Sequence, residues 1–474
     1  MANSRCCWQP PSEWEEWSDW LSAGLHAENR WRLPVLIMGA LFATGRRTVT
    51  TWLRAAGVSP DYQDYYYFLA ALGRKTKVVA SQLMVLLLKT LPLPDKLLVV
   101  IDDTPTKRYG PYVEGADIHH NPTPGPADQK YLYGHIWVTL SLALRHPLFG
   151  TIGLPLLAML YVRKKTMPTI PPWRNWKFAT KLVLASRLIE WLAPIVKKAG
   201  KTLWVVTDGG YAKRPFVPRA RRAGVTVIGR LRRDGAILDL PPPRKPRGQN
   251  PIGRPPTYGE NQLSLRKRAV HPCGWQTVQC TVYGKEVVKE YKTFLATYPP
   301  AGGLIRVVIV KMDRDDKQMY RKAKAKRKGK TKRKSKVNND WLPFFSTDPN
   351  ATPQEIIEAY ADRSCIEQNF HDLKEVWGAG QQQVRNIWTN VGVYHMNLWM
   401  HTLTELWSWN RPHRELCDRR QSPWDDADRR PSHADRRKSL RQHIIDHQLS
   451  TLATFYQLPP KILQLTKRLV TFIT

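Results

Sequence analysis

Two short apolar runs that each stop on a carboxylate constrain this chain most: LLVVI before Asp102 and LWVVT before Asp208. A continuous apolar run of this length, bounded by turn residues such as LPLPDK, is how a buried strand reads. FATKLVLASRLIEWLAPIVKKAG precedes the second run and has a helical pattern closed by Lys-Lys and a C-terminal Gly. YLYGHIWVTLSLALR and the apolar stretch behind it supply further strands, and VTVIGRL follows the basic helix end PRARRAG. Strands alternating with helices specify an α/β or α+β chain around a central sheet. At roughly 150 residues per domain, 474 residues allow about three units and a sizeable core.

The flanks differ in composition. Residues 1–92 carry five segments with apolar side chains recurring at three and four, from WEEWSDWLSAGL to VVASQLMVLLLKTL, and are expected to be helical. Within them, RRTVTTWLRAAG fits the second helix of a helix-turn-helix as well as it fits a basic helix of an ordinary bundle. Residues 232–342 read as an insertion. PPPRKPRGQNPIGRPP has seven Pro between Pro241 and Pro256 and is expected to be extended, while QTVQCTVYG, YKTFLATYP and LIRVVIVK suggest a small antiparallel sheet. The run Arg321 to Lys336 follows, most of it Lys or Arg. WLPFFSTDP then gives a strand, a long helix runs from about Pro353 to Trp377, a second follows Val384, and the tail beyond Pro412 is basic and helical.

Charge narrows the partners. Lys plus Arg number 74 against 39 Asp plus Glu, a formal net charge of +35. An excess of this size points to a polyanion, nucleic acid first, because phosphate neutralisation releases counterions. The longest charge-poor apolar stretch, Leu148 to Val162, is interrupted by Pro155 and is too short to span a bilayer. MANSRCCWQPPSEWEEW lacks the basic and apolar regions of a secretion signal, so a cytosolic protein is expected. The six cysteines, Cys6, Cys7, Cys273, Cys280, Cys365 and Cys417, show no paired CxxC spacing, which argues against disulfides and structural zinc. His119 and His120, in HHNPTPG, read as part of a solvated loop.

The long helix carries a polar row. At about 100° per residue, with Tyr360 at zero, Arg363 falls near −60°, Glu367 near −20° and Lys374 near −40°. Ala359, Ile366, Phe370, Leu373 and Trp377 form the adjoining apolar stripe, which sets the polar row at the border of the core. Neighbouring strands that end together bring Asp102 and Asp208 close, and a Glu from a packed helix completes a carboxylate triad. Three such groups need a cation, and hard oxygen donors favour Mg²⁺ or Mn²⁺. A pair of these ions can drive phosphodiester chemistry.

The spacing Tyr360, two residues, Arg363, three, Glu367, six, Lys374 resembles the Y-(2)-R-(3)-E-(6)-K pattern of bacterial insertion-sequence transposases in the DDE superfamily. Asp102, Asp103 and Thr104 resemble that family's D-x-T strand end, and LWVVTDGGYA its second Asp followed by a small residue. The long separation of Asp208 and Glu367, with strand-like segments inside it, matches the place of its β-rich insertion. The resemblance covers about residues 95–400. It implies a ribonuclease-H-like catalytic core, an α/β fold with a mixed sheet flanked by helices, a β-rich insertion, and helical N-terminal and C-terminal regions. The divisions expected are 1–92, helical and DNA-binding; 93–231, first part of the core; 232–342, the insertion; 343–410, second part of the core with the Glu helix; and 411–474, basic and helical.

The implied activity is DNA strand cleavage at the ends of a mobile element, followed by transfer of the freed 3′ ends to target DNA. Asp102, Asp208 and Glu367 would be the catalytic residues and hold two Mg²⁺ ions, Mn²⁺ being able to substitute, with Asp103 the fallback for the first position. Tyr360, Arg363 and Lys374 would contact phosphates and terminal nucleotides. The Lys/Arg-rich run, including Lys322, Lys324, Arg327, Lys328 and Arg333, is assigned to non-specific DNA contacts. The partners implied are double-stranded DNA, both terminal inverted repeats and target, and a second copy of the chain in a homodimer, in the bacterial cytoplasm at the nucleoid. Two other readings compete: a DNA-binding protein that keeps the fold without catalysis, and a structure-specific nuclease on the same core. A basic RNA-binding protein without chemistry would need only the charge and the 19 Trp.

Overall fold

The computed structural model describes residues 6–58, 62–121, 129–243, 254–313, 340–417, 424–426, 428–457 and 459–473. In chain order the elements are α1 (Ser12–Ser22), α2 (Ala27–Arg30), α3 (Arg32–Phe42), α4 (Val49–Ala55), α5 (Tyr62–Arg74), α6 (Thr76–Thr90), β1 (Lys96–Lys107), β2 (Asp117–His120), β3 (Tyr131–His146) and β4 (Gly150–Tyr161). Next come α7 (Lys181–Lys198), β5 (Thr202–Thr207), α8 (Phe216–Arg222), β6 (Thr226–Arg230), β7 (Ile237–Leu238), β8 (Gln262–Leu263), α9 (Leu265–Val270), β9 (Gln276–Val282), β10 (Lys285–Tyr298), β11 (Gly303–Lys311) and β12 (Trp341–Ser346). The described chain closes with α10 (Pro353–Asp362), α11 (Cys365–Glu375), α12 (Ile387–Ser408), α13 (His413–Leu416), α14 (His433–Tyr456) and α15 (Pro460–Ile473). No helix of the described residues is long and apolar enough to cross a membrane.

The chain divides into two compact units: Met1–Pro94, Asp103–Leu184 and Ile366–Thr474 in the first, Asp95–Asp102 and Ala185–Cys365 in the second. The second unit is a mixed sheet. Strand β5 pairs in parallel with β1 and with β6; β12 then pairs antiparallel with β6 and with β11, and β10 follows. Helix α10 covers one face. Its Ile356, Ile357 and Ala359 pack with Trp204, Val206, Ile228, Val308 and Phe344 in a buried cluster. The segments QTVQCTVYG, YKTFLATYP and LIRVVIVK do form strands, β9 to β11, but they do not make a separate sheet. Because β12 bonds to both β6 and β11, the insertion's strands extend the sheet that carries Asp208.

In the first unit, β3 pairs antiparallel with β2 and β4. The apolar stretch Leu148 to Val162 is accounted for by β4, which lies under α12. Trp399 donates from Nε1 to the Leu156 carbonyl at 3.1 Å, and Thr402 donates to that of Pro155 at 2.6 Å. Helix α12 is buried almost throughout because it also meets the N-terminal helices. At the crossing with α5 the backbones touch: a Cβ on Gly73 would lie 1.9 Å from the Trp388 carbonyl oxygen, and one on Gly392 2.2 Å from that of Leu69. Only glycine fits either position.

Two sequence expectations change. His119 and His120 lie on strand β2 rather than in a loop, and His119 is buried because β2 pairs with β3. The single long helix is two, α10 and α11, divided at Arg363–Ser364. The Ser364 amide and hydroxyl both donate to the Ala361 carbonyl, at 3.1 and 2.9 Å, and this local bonding tightens the turn.

Candidate active site

Strand register positions the first two carboxylates. The β1–β5 pairing ends with Ile101 opposite Thr207, so Asp102 and Asp208 directly follow the last paired residues of two adjacent parallel strands, and such strands run about 4.8 Å apart. Residues in register on parallel strands point to the same face. Asp208 turns back on its own chain, its Oδ1 accepting from the amides of Gly210 at 2.9 Å and Tyr211 at 3.2 Å. A Cβ on Gly210 would sit 3.0 Å from that oxygen, so glycine leaves room for this turn. Asp102 Oδ2 accepts from Arg363 Nη1 at 2.8 Å.

Asp103, the alternative first carboxylate, follows Asp102 on the strand and is directed to the opposite face by the pleat. Its Oδ2 accepts from Lys181 Nζ at 2.6 Å.

Helix α10 brings Tyr360 and Arg363 to the carboxylates of the second unit. Its start is fixed by a capping box between Thr352 and Glu355, and Glu355 also accepts from Lys96 of β1 at 2.5 Å. Glu358 accepts from the Thr281 amide at 3.0 Å. The Tyr360 ring packs 4.4 Å from that of Phe344, and the Arg363 guanidinium lies 5.8 Å from the Tyr360 ring. Burial pushes the Tyr360 hydroxyl's pKa above the usual tyrosine value; Arg363 and Arg230 oppose that rise and Asp208 adds to it.

Sequence reasoning does not single out Arg230. The β5–β6 register ends with Thr207 opposite Gly229, so Arg230 follows beside Asp208, and its side chain bonds the Tyr360 hydroxyl. A signal for it exists: VTVIGR, like LLVVID and LWVVTD, is an apolar run that closes on a charged residue.

Glu367 and Lys374 lie on α11, in the first unit, where Glu367 is exposed and Lys374 half-buried. The structure therefore brings Asp102, Asp208, Tyr360 and Arg363 together within the second unit, while Glu367 and Lys374 belong to the first. Lys322, Lys324, Arg327, Lys328 and Arg333 lie outside the described residues.

A separate acidic and imidazole group, Asp372, His401 and His433, is buried in the first unit. The two imidazoles stack, centroids 3.9 Å apart and planes within 10°, so their in-plane lone pairs run parallel instead of converging on one ion. His433 Nε2 accepts from Trp377 Nε1 at 2.7 Å, which leaves Nδ1 to donate to Glu405 at 2.6 Å. Glu405 is also paired with Arg436. Burial lowers the His433 pKa to about 4, and Arg436 with His433 holds Glu405 well below the usual carboxylate range despite its burial. This group reads as an internal ion-pair network that fastens α11, α12 and α14.

The sequence matches the DDE superfamily endonuclease family over residues 21–286 and the transposase DDE domain over residues 183–403. No curated protein matches the chain. The first match takes in Asp102 and Asp208, the second Asp208, Tyr360, Arg363, Glu367 and Lys374. Members of this superfamily share a ribonuclease-H-like core and generally use divalent metal ions, and the mixed sheet with its flanking helices fits that core. With the match spanning more than half its length, the chain belongs to the DDE superfamily of endonucleases and is a nuclease-type enzyme of the transposase kind.

Proposed function

We propose that this enzyme is an insertion-sequence transposase of the Y-(2)-R-(3)-E-(6)-K group, which binds the ends of its element, cleaves the DNA strands and transfers the 3′ ends to target DNA. The observation that carries the reading is the register that sets Asp102 beside Asp208, with Arg363 of the motif hydrogen-bonded to Asp102. In this reading Asp102, Asp208 and Glu367 are the catalytic carboxylates. Their donor set suits hard cations, since carboxylate oxygens that follow paired residues of adjacent parallel strands are the donors offered. Two Mg²⁺ ions, or Mn²⁺, would be held there, and when bound they supply activation of a water or 3′-hydroxyl and stabilisation of the leaving oxygen.

The chain's own cations do the rest. Arg363 neutralises Asp102, and a guanidinium is the side chain suited to meeting a phosphate in bidentate fashion. Tyr360, held by Phe344 and Arg230, offers a fixed hydroxyl beside the carboxylates. Lys374 contributes a point charge to terminal nucleotides. The helices of 1–92 and the Arg321 to Lys336 run add contacts along double-stranded DNA, and two copies of the chain act on paired ends. The nucleoid is the place of action that follows from such a substrate.

The test is strand cleavage of DNA flanking the enzyme's own gene, with Mg²⁺ or Mn²⁺, by the native protein and by Glu367→Gln. Metal-dependent cuts at defined ends that vanish in the variant, with binding retained, are expected. Cuts that persist in Glu367→Gln would show the triad to be misassigned; tight binding without cutting by the native protein would move the reading to a binding-only protein.

A further inference from the structure

In the first unit, a cleft of about 350 Å³ opens between residues 108–113 and 380–385. At its floor is Arg108, 4% exposed. Its Nε donates to His135 Nδ1 at 3.2 Å, and its Nη1 to the carbonyls of Gly380 and Gln382 at 3.2 and 2.9 Å. Nη2 has no partner among the described residues.

All three of those acceptors are neutral. His135 Nε2 bonds the Glu114 carbonyl at 3.0 Å, which fixes the neutral tautomer, and burial lowers the His135 pKa to about 3. The nearby Glu114 carboxylate is taken by Arg174, at 3.0 to 3.2 Å, and by the Ile387 amide at 2.7 Å. Arg108 is thus a buried cation without a carboxylate partner, an arrangement that is costly unless an anion completes it.

The rim carries two exposed tyrosines, each beside a guanidinium. Tyr112 is 74% exposed with Arg385 5.8 Å from its ring; Tyr109 is 66% exposed with Arg46 at the same distance. Neither arginine is salt-bridged to a carboxylate among the described residues. The Arg46–Arg47 turn, from the segment that fits a helix-turn-helix, is tied to the cleft: the Arg47 amide donates to Gln381 at 2.8 Å and Gln382 donates to the Arg47 carbonyl at 3.0 Å. A guanidinium cluster with exposed aromatic rings suits a phosphate joined to a planar base. In duplex DNA the base faces are already stacked on one another, so a tyrosine ring can take a base only where the strand is unpaired.

We propose that this cleft holds one unpaired nucleotide of the DNA substrate, its base stacked on Tyr112 and its phosphate facing Arg385 and Arg108. The inference rests on DNA being the substrate and adds a single-strand contact that the carboxylate site does not supply.

Binding of the full chain to fluorescein-labelled DNA, in EDTA so that no cleavage occurs, tests it by anisotropy. Two probes are compared, a blunt duplex and the same duplex with a short single-stranded thymidine overhang. The native chain should prefer the overhang. Tyr112→Ala should weaken overhang binding about fivefold to a hundredfold, the span of base stacking on an aromatic ring, and leave blunt-duplex binding unchanged. Tyr112→Phe should restore the preference, since the ring and not the hydroxyl is used. Arg385→Gln should reduce the salt slope on the overhang probe by about one. No preference in the native chain, or equal losses on both probes in Tyr112→Ala, would overturn the cleft. Failure of the native chain to bind either probe would instead overturn the DNA reading itself.

Discussion

Replacing Arg363 by Ala should make the metal-free enzyme less stable and its carboxylates more avid for a divalent cation. The Arg363–Asp102 pair is 2.8 Å long, with the two side chains 17% and 22% exposed, so it is largely shielded from water. A hydrogen bond between charged groups of this kind contributes about 1.5–3 kcal/mol. Its loss also uncovers repulsion between Asp102 and Asp208, about 3 kcal/mol for unit charges roughly 5 Å apart at an effective dielectric near 20. Partial exposure and relaxation reduce the sum, so we expect about 2–3 kcal/mol of destabilisation and a melting temperature several degrees lower. A cation that binds the two carboxylates must share or displace the guanidinium in the native protein but not in the variant. Mn²⁺ affinity should therefore rise about tenfold to a hundredfold in Arg363→Ala, while cleavage falls. The assay is thermal unfolding of EDTA-treated protein titrated with Mn²⁺, with Asp208→Asn as the variant that loses the metal-induced shift. Equal metal-induced shifts in native and Arg363→Ala proteins would refute the reasoning, as would an unchanged melting temperature in EDTA.

Asp102→Asn should abolish cleavage, whereas Asp103→Asn, which weakens the pair with Lys181, should retain it; the opposite pattern in a strand-cleavage assay would move the first catalytic position to Asp103. Arg436→Met leaves Glu405 buried without its guanidinium and should cost about 3–5 kcal/mol in denaturant unfolding. His135, His395 and His433 are buried with pKa values lowered to about 3, 4 and 4, so the unfolded chain takes up protons below pH 6.5 that the folded chain does not. Their contribution is full above pH 6.5 and is lost as pH falls toward 4, about 2 kcal/mol per histidine at pH 5, and a melting temperature flat from pH 7.5 to 5 would contradict this. Lys374→Ala should weaken binding to cleaved ends more than to random duplex, and deletion of Arg321 to Lys336 should flatten the salt dependence of non-specific binding.

Local signals carry much of the fold because burial leaves marks in the chain. LLVVID and LWVVTD announce buried strands ending on carboxylates, and the stripe Ala359, Ile366, Phe370, Leu373 and Trp377 is buried in every member. Register is different, since it is decided by residues distant in sequence. That Arg230 stands next to Asp208 depends on the β5–β6 pairing, and that the insertion extends the main sheet depends on β12 reaching both β6 and β11. The break at Ser364 escapes the helical wheel because the apolar period continues across it and Arg363 stays in right-handed helical geometry. His119 escapes because its sequence neighbours are turn residues, while its burial comes from pairing with β3. The cleft at Arg108 combines segments about 270 residues apart in the sequence, which no local pattern reports.

The glycine-to-backbone crossing of α5 and α12 bears on how enzymes of this kind diversify. A module that reads DNA ends could be exchanged between elements if a flexible linker joined it to the catalytic core. Here Gly73 and Gly392 leave no space for even a methyl group, and the long helix packed on β4 is the one that receives the N-terminal bundle. Grafting a foreign N-terminal region onto this chain would have to bring a matching α12 surface with it. On the proposed reading of the N-terminal helices as DNA-binding, new end specificity would therefore be reached more readily by point changes on their exposed faces than by wholesale replacement.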